Sequence, residues 1–247
     1  MSSKRFEGQR ILVCGGATGI GAATARLLGS EGATVCIQYR QRETEAKEMC
    51  RQLRSDGASV EIFPADLTDS DQVKSLIKDV GVMHGLVHSV SPALPNALFY
   101  QINWSEYEQH WSTAVESAYW LLKHSLESES CALQAVVFVL SSYTIGVPPK
   151  NLAPYISAKY ALLGLCKVMA LELAERGIRI NSISPGFTPT PLTAHIEPRL
   201  QDFVARGIPM HRLGSSEDAA MAATFLLSSE SRFITGVNLP VSGGAAM

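Results

Sequence analysis

"RILVCGGATGIGAATARLLGSEG", residues 10–32, is the stretch whose reading decides the fold. It opens on a short apolar run, "RILVC", breaks at a glycine, and resumes as "GAATARLLGSEG" with apolar residues at helical spacing. A brief β-branched run bounded by glycine reads as a buried strand, and the longer periodic stretch after it as a helix. Gly15, Gly19 and Gly21 stand at that junction in the pattern Gly-x-x-x-Gly-x-Gly. Glycine permits a tight turn and close backbone approach, while the helix start offers unpaired N–H groups and partial positive charge to a pyrophosphate. A plain glycine turn is the alternative, and the position at the first strand-to-helix junction argues for nucleotide binding.

The same alternation continues along the chain. Strand-like runs "ATVCIQY", "SVEIFPAD", "GLVHSV", "AVVFVL", "IRINSISP" and "GVNLPVSGG" are separated by helical stretches, including long ones over 105–126 and 153–176. Such alternation implies parallel βαβ units: one Rossmann-type, doubly wound α/β sheet of about seven strands with helices on both faces. With no linker, repeat or low-complexity segment, residues 1–247 read as one domain. Ligands of such sheets bind outside the carboxyl ends of the strands, so the strand-to-helix loops are where chemistry is expected.

Composition narrows the function class. The 247 residues are 46% hydrophobic and 18% charged with a net charge of −2, which describes a globular chain without an electrostatic footprint for nucleic acid or an anionic membrane. The polar start "MSSKRFEGQR" lacks the apolar stretch of a signal peptide, and no apolar run reaches the roughly 18 residues of a membrane span. Cys14, Cys36, Cys50, Cys131 and Cys166 are scattered without a Cys-x-x-Cys pair, so they read as buried thiols and not metal ligands. A cytoplasmic protein is expected.

The end of the second strand selects the cofactor. "QYRQRE" carries Tyr39, Arg40 and Arg42, with no carboxylate before Glu43 to meet a ribose 2′-hydroxyl. Arginine pairs well with a 2′-phosphate, so NADP(H) is expected over NAD(H). Asp66, in "PADLTD", is placed either to meet the adenine amino group or to cap the next helix.

A second constellation lies downstream. "VVFVLSSYTIG" ends a strand in Ser141, Ser142 and Tyr143, and "YISAK" sets Tyr155 and Lys159 one helical turn apart. A carbonyl receiving hydride develops negative charge on oxygen and needs an aligned acid. A nearby ammonium favours a phenolate, so Lys159 is expected to lower the pKa of Tyr155 while Ser142 donates to the same oxygen.

Together, "GGATGIG", "ADLTD", "SSY" before "YISAK", "IRINSISPGFTPT" and the tail "IPMHRLGSSEDAAMAATFLLSSESRFITGVNLPVSGG" resemble the short-chain dehydrogenase/reductases over essentially the whole chain. The tail is most similar to 3-oxoacyl-ACP reductases. The resemblance implies Ser142, Tyr155 and Lys159 as the catalytic set, with Lys159 also holding the nicotinamide ribose. It implies cofactor contacts from Gly15, Thr18, Gly19, Ile20 and Gly21, then from Tyr39, Arg40, Asp66 and Leu67. Further contacts fall on His88, Ser89, Pro185, Gly186, Thr188 and Thr190. A homotetramer or homodimer is implied, built on the long helices at 105–126 and 153–176 and on the last helix and strand.

Three positions depart from the family pattern. Cys14 replaces a threonine, His88, Ser89, Val90 and Ser91 replace Asn-Asn-Ala-Gly, and Ala114 stands where an asparagine of the proton relay is expected. "GLVHS" and Tyr143 resemble enoyl-ACP reductases, whereas the spacing in "YISAK" resembles ketoreductases. Reduction of a ketone, a β-ketoacyl thioester or polyketide-like carbonyl, is the leading reading. Enoyl reduction through Tyr143, and a catalytically impaired dinucleotide-binding sensor or partner subunit, stand as alternatives. Substrate contacts are expected from Tyr143, Leu94 and Leu192, with Leu98, Phe99, Tyr100, Ile196 and Phe203 making the pocket apolar, and the substrate is a small molecule or an acyl thioester on a carrier protein.

Overall fold

The computed structural model describes residues 4–247. The first three residues of the polar start lie outside the described residues. Seven parallel strands form one sheet in the order β3-β2-β1-β4-β5-β6-β7. They are β1 (Arg10–Cys14), β2 (Thr34–Tyr39), β3 (Ser59–Pro64), β4 (Met83–His88), β5 (Cys131–Val139), β6 (Arg179–Pro185) and β7 (Asn238–Val241). The chain runs outward from β1 to β3, then returns to place β4 on the other side of β1. That reversal opens a crevice at the carboxyl ends of β1 and β4.

Helices α1 (Gly19–Ser30), α2 (Glu43–Ser55) and α8 (Ser216–Leu227) cover one face, with Leu28, Leu53 and Leu226 packed on Val13, Val35 and Ile37. Helices α3 (Ser70–Val80), α4 (Trp104–Trp111), α5 (Ser117–Glu127) and α6 (Ala153–Ala174) cover the other, where Leu76, Leu121 and Leu162 meet Leu12, Val136 and Phe138. Because both faces are covered, the strands carry continuous apolar runs in place of alternation. Helix α3 shows the local logic plainly. Val73, Leu76, Ile77 and Val80 form one buried stripe, and Asp69 accepts from the N–H groups of Asp71 and Gln72 at its start. Burying each such side chain contributes about 1.5–3 kcal/mol.

Two expectations are refined. The long helix over 105–126 is α4 and α5 joined by a π-helical turn, Ser112–Glu116, centred on buried Ala114. Helix α7 (Pro198–Gly207), with Pro198 at its start, carries Phe203, one of the residues expected to make the pocket apolar. Four of the five cysteines are buried, while Cys131 is half-buried at the start of β5. Among the described residues, no helix is long and apolar enough to cross a membrane.

Candidate active site

One cleft of about 1100 Å³ opens at the carboxyl edge of the sheet. Its floor is the glycine loop between β1 and α1. Gly15 has a φ of +72°, and a Cβ there would fall 2.5 Å from the Ser89 carbonyl oxygen of the loop after β4. Gly21 faces away from the cleft, where a Cβ would overlap the Gly15 carbonyl, so it allows α1 to pack against its own entry loop. Gly19, at φ +55°, lies against Thr190 across the cleft. The first turn of α1 has no side-chain cap and no acidic residue, which leaves its N–H groups and positive dipole end for an anion.

Gln38 holds this loop from below. Its Oε1 accepts from Gly15 N–H at 3.1 Å and its Nε2 donates to the Ala65 carbonyl at 2.7 Å, tying β1 to the ends of β2 and β3. At those ends, Arg40 lies 3.4 Å from Asp66, while Arg42 pairs with Glu45 on α2. Asp66 accepts from the N–H and hydroxyl of Thr68. Burial raises its pKa, but these bonds and Arg40 outweigh burial and hold the carboxyl below its usual range. Asp66 therefore orders a turn, and Asp69 caps α3. Exposed Arg40 and Arg42 line the cleft, together with the largely buried Tyr39 and Leu67.

The second constellation meets the first in the same cleft. Ser141, Ser142 and Tyr143 enter a 3₁₀ turn at the end of β5, fixed by Thr144, whose hydroxyl lies 3.1 Å from Ser184 and 3.2 Å from Asn238. Ser142, Tyr155 and Lys159 all line the cleft. Lys159 rises from α6 and donates to the Val139 carbonyl at 2.8 Å, and its ammonium lies 5.8 Å from the centre of the Tyr155 ring. Burial is the main force on both groups. It pushes Tyr155 up to about 12 against the opposing Ser141 hydroxyl, and Lys159 down to about 8. The expected lowering of Tyr155 by Lys159 is not found: desolvation of the phenol, with Tyr143 beside it, outweighs the Ser141 hydrogen bond.

Two histidines are buried behind the pair. His110, on α4, sets its ring edge-on to Tyr155 at 6.1 Å. His88 is fully buried at the end of β4 and does not line the cleft, since its ring turns toward Phe138 and Ser117. Ser141, Gln38 and His110 are contributors that sequence reasoning missed: single polar residues in apolar or loop contexts carry no periodic signal.

Thr18, Ile20, Ser89, Pro185, Gly186, Thr188 and Thr190 also line the cleft, as do Tyr143, Leu94, Leu192 and Ile196. Leu98, Phe99, Tyr100 and Phe203 do not line it and are exposed. Asn96, Gln109 and Asn151 line it as well, with Asn151 donating to Asn96 at 3.3 Å, so the wall is mixed and not purely apolar. Among the described residues, no group of three or more His, Cys, Asp or Glu side chains is placed to hold a metal ion.

A parallel sheet with this strand order and a glycine-floored cleft defines a dinucleotide-binding α/β oxidoreductase. Residues 15–246 match the family model described as Enoyl-(Acyl carrier protein) reductase. The chain is 28% identical over 240 residues to the 3-oxoacyl-[acyl-carrier-protein] reductase FabG of Staphylococcus aureus, covering 96% of this chain and 97% of that protein. It is 32% identical over 267 residues to the 2,3-dihydro-2,3-dihydroxybenzoate dehydrogenase of Bacillus subtilis, covering 100% and 99%. A short-chain type dehydrogenase/reductase from Mycobacterium ulcerans superposes with a TM-score of 0.90 at 29% identity, covering 97% of this chain and 90% of that one. The protein belongs to the short-chain dehydrogenase/reductase family, whose members bind nicotinamide dinucleotides.

Proposed function

We propose that the protein is an NADPH-dependent ketoreductase acting on a β-ketoacyl thioester or polyketide-like carbonyl. The observation that carries this reading is the convergence of Ser142, Tyr155 and Lys159 with the glycine loop on one cleft. When bound, the reduced nicotinamide supplies hydride. The first turn of α1 and the backbone at Gly15 and Gly19 would hold the pyrophosphate, and Arg40 and Arg42 would take the 2′-phosphate. Lys159 would hold the nicotinamide ribose, and Pro185, Gly186, Thr188 and Thr190, which line the same cleft, would contact the cofactor.

Tyr155 is the general acid. Its high pKa keeps it protonated at neutral pH, and it gives that proton to the carbonyl oxygen as the oxygen gains negative charge. The Ser142 hydroxyl donates to the same oxygen. The phenolate left behind lies beside the Lys159 ammonium, which stabilises it. The similarity to a 3-oxoacyl-[acyl-carrier-protein] reductase supports the thioester class, and Leu94, Leu192 and Ile196 suit its acyl chain. A carrier-bound substrate, a cytoplasmic location and a homotetramer or homodimer belong to this reading. Exposed Trp111, Tyr119, Tyr160, Val168 and Leu171 on the long helices, with Phe233 near β7, support the assembly.

A second reading has an observation of its own. Tyr143 lines the cleft, and the matching family carries an enoyl-reductase description, so reduction of a 2-enoyl thioester through Tyr143 competes. Purified protein assayed with NADPH and NADH against 3-oxobutanoyl and 2-butenoyl thioesters separates them. Turnover of the 3-oxo substrate with NADPH is expected, and exclusive turnover of the enoyl substrate sinks the ketoreductase reading.

A further inference from the structure

The buried histidine at the end of β4 has an unmatched nitrogen. His88 Nε2 lies 2.7 Å from Ser117 Oγ, and that hydroxyl donates to the Thr113 carbonyl at 2.5 Å. A hydroxyl has one hydrogen, and with it committed to Thr113 the oxygen accepts from Nε2–H. Nδ1 is therefore the unprotonated nitrogen. It is buried with no hydrogen-bond partner among the described residues, which native proteins rarely tolerate.

The neighbouring strand end supplies a donor with hydrogens to spare. His88 pairs in register with Phe138, and the next residue, Val139, receives the Lys159 ammonium. That bond uses one of the three ammonium hydrogens. Cys14 from β1, Phe138 from β5 and Ser117 from α5 also lie beside His88. Burial keeps the Cys14 thiol protonated, so Lys159 is the charge His88 feels. His110, on α4, feels the same ammonium from its own side. Ala114, at the relay position, has a methyl group that can hold nothing.

We propose that His88 is a positioning residue for Lys159: its Nδ1 accepts from the ammonium through one bridging water, and does the work for which an asparagine at 114 was expected. This rests on the reading of Lys159 as the partner of Tyr155. Ser117 acts by fixing the imidazole so that the lone pair, and not an N–H, faces the lysine.

The test is the titration of Lys159 followed by ¹⁵N NMR of the lysine ammonium groups in the intact protein, a readout that needs no substrate. Burial pushes Lys159 down to about 8, so the wild-type midpoint is expected there. In His88→Leu the ammonium loses an acceptor, and the midpoint falls by roughly half a pH unit or more. His88→Asn, which restores an acceptor, recovers most of the shift, a recovery that a purely space-filling role does not produce. Ser117→Ala lets the imidazole turn an N–H toward the ammonium and lowers the midpoint too, so it serves if His88→Leu does not fold. An unchanged Lys159 midpoint in His88→Leu, or in Ser117→Ala, overturns the inference. Turnover that survives Tyr155→Phe overturns the catalytic reading instead, and does so without moving this titration.

Discussion

The Lys159 ammonium is bonded to the Val139 carbonyl at 2.8 Å while lying 5.8 Å from the centre of the Tyr155 ring. The lysine is thus held by the strand end and acts on the tyrosine through space. Burial dominates both groups, raising the phenol to about 12 and lowering the ammonium to about 8. A phenol held at about 12 is fully protonated at neutral pH and so competent as the acid, with a charge alongside to stabilise the resulting anion.

A pH dependence of turnover follows. Ketone reduction requires protonated Tyr155 and charged Lys159, so kcat should hold near neutrality and fall as pH rises through about 8, where Lys159 loses its proton. The reverse oxidation needs ionised Tyr155, whose pKa burial pushes up to about 12, so its rate should climb only well above the Lys159 midpoint. Steady-state rates in both directions check this, and a reduction rate that stays flat well above the Lys159 midpoint contradicts it.

Arg40 should discriminate between the two cofactors. It is half exposed, and its contact with Asp66 is long at 3.4 Å, which leaves the guanidinium free to meet a phosphate. A charge-assisted hydrogen bond contributes about 1.5–3 kcal/mol, so Arg40→Ala should weaken NADPH binding roughly 10- to 100-fold. NADH binding should be little changed. Fluorescence titration with each cofactor measures both, and an equal loss for the two contradicts the phosphate role.

The two buried histidines should make stability fall with acid. Burial, then the Lys159 charge, pushes His88 down to about 3 and His110 to about 4, from an ordinary value of 6.5. Their folded pKa values lie below the unfolded one, so the unfolded chain binds more protons in that window. The stability is full above about pH 6.5 and is lost as pH drops, at about 1.4 kcal/mol per pH unit for each group. Urea unfolding at several pH values between about 6.5 and 5 should show this slope, reduced by about half in His110→Gln.

Gly21 and Gly15 should tolerate no methyl group, though for different reasons. A Cβ at Gly21 overlaps the Gly15 carbonyl, while one at Gly15 meets the Ser89 carbonyl from a backbone already at positive φ. Overpacking of this kind costs about 1–3 kcal/mol. Gly21→Ala should therefore lower the melting temperature and weaken dinucleotide binding together. A variant that melts like wild type and binds NADPH normally contradicts the tight packing of α1 on its entry loop.

Much of this architecture was legible in the sequence because strands buried on both faces write themselves as unbroken apolar runs, and glycine marks the turn between β1 and α1. The cleft positions of Ser142, Tyr155 and Lys159 followed from the same topology. Helix α7 carries Leu200, Phe203 and Val204 at helical spacing, but none of its residues is buried, and Leu200 and Val204 face the cleft instead of the core, so a pattern sought for its core face passes over it. The direction of the Tyr155 shift was misjudged for a related reason. Spacing by one helical turn says that two side chains share a face, but not that Lys159 is spent on Val139 or that Tyr155 is nearly closed off from water. His110 and Gln38 bind through the backbone geometry of loops far away in sequence, which one-dimensional patterns do not record.

The central claim is that Tyr155, and not Tyr143, delivers the proton to a carbonyl oxygen. Its most direct test is the NADPH-dependent turnover of a 3-oxobutanoyl thioester by Tyr155→Phe and Tyr143→Phe side by side. Loss of general-acid catalysis should lower kcat by roughly 10²–10⁴-fold in Tyr155→Phe while Tyr143→Phe retains most of its activity. The opposite pattern, with Tyr155→Phe active and Tyr143→Phe inactive, would contradict the account.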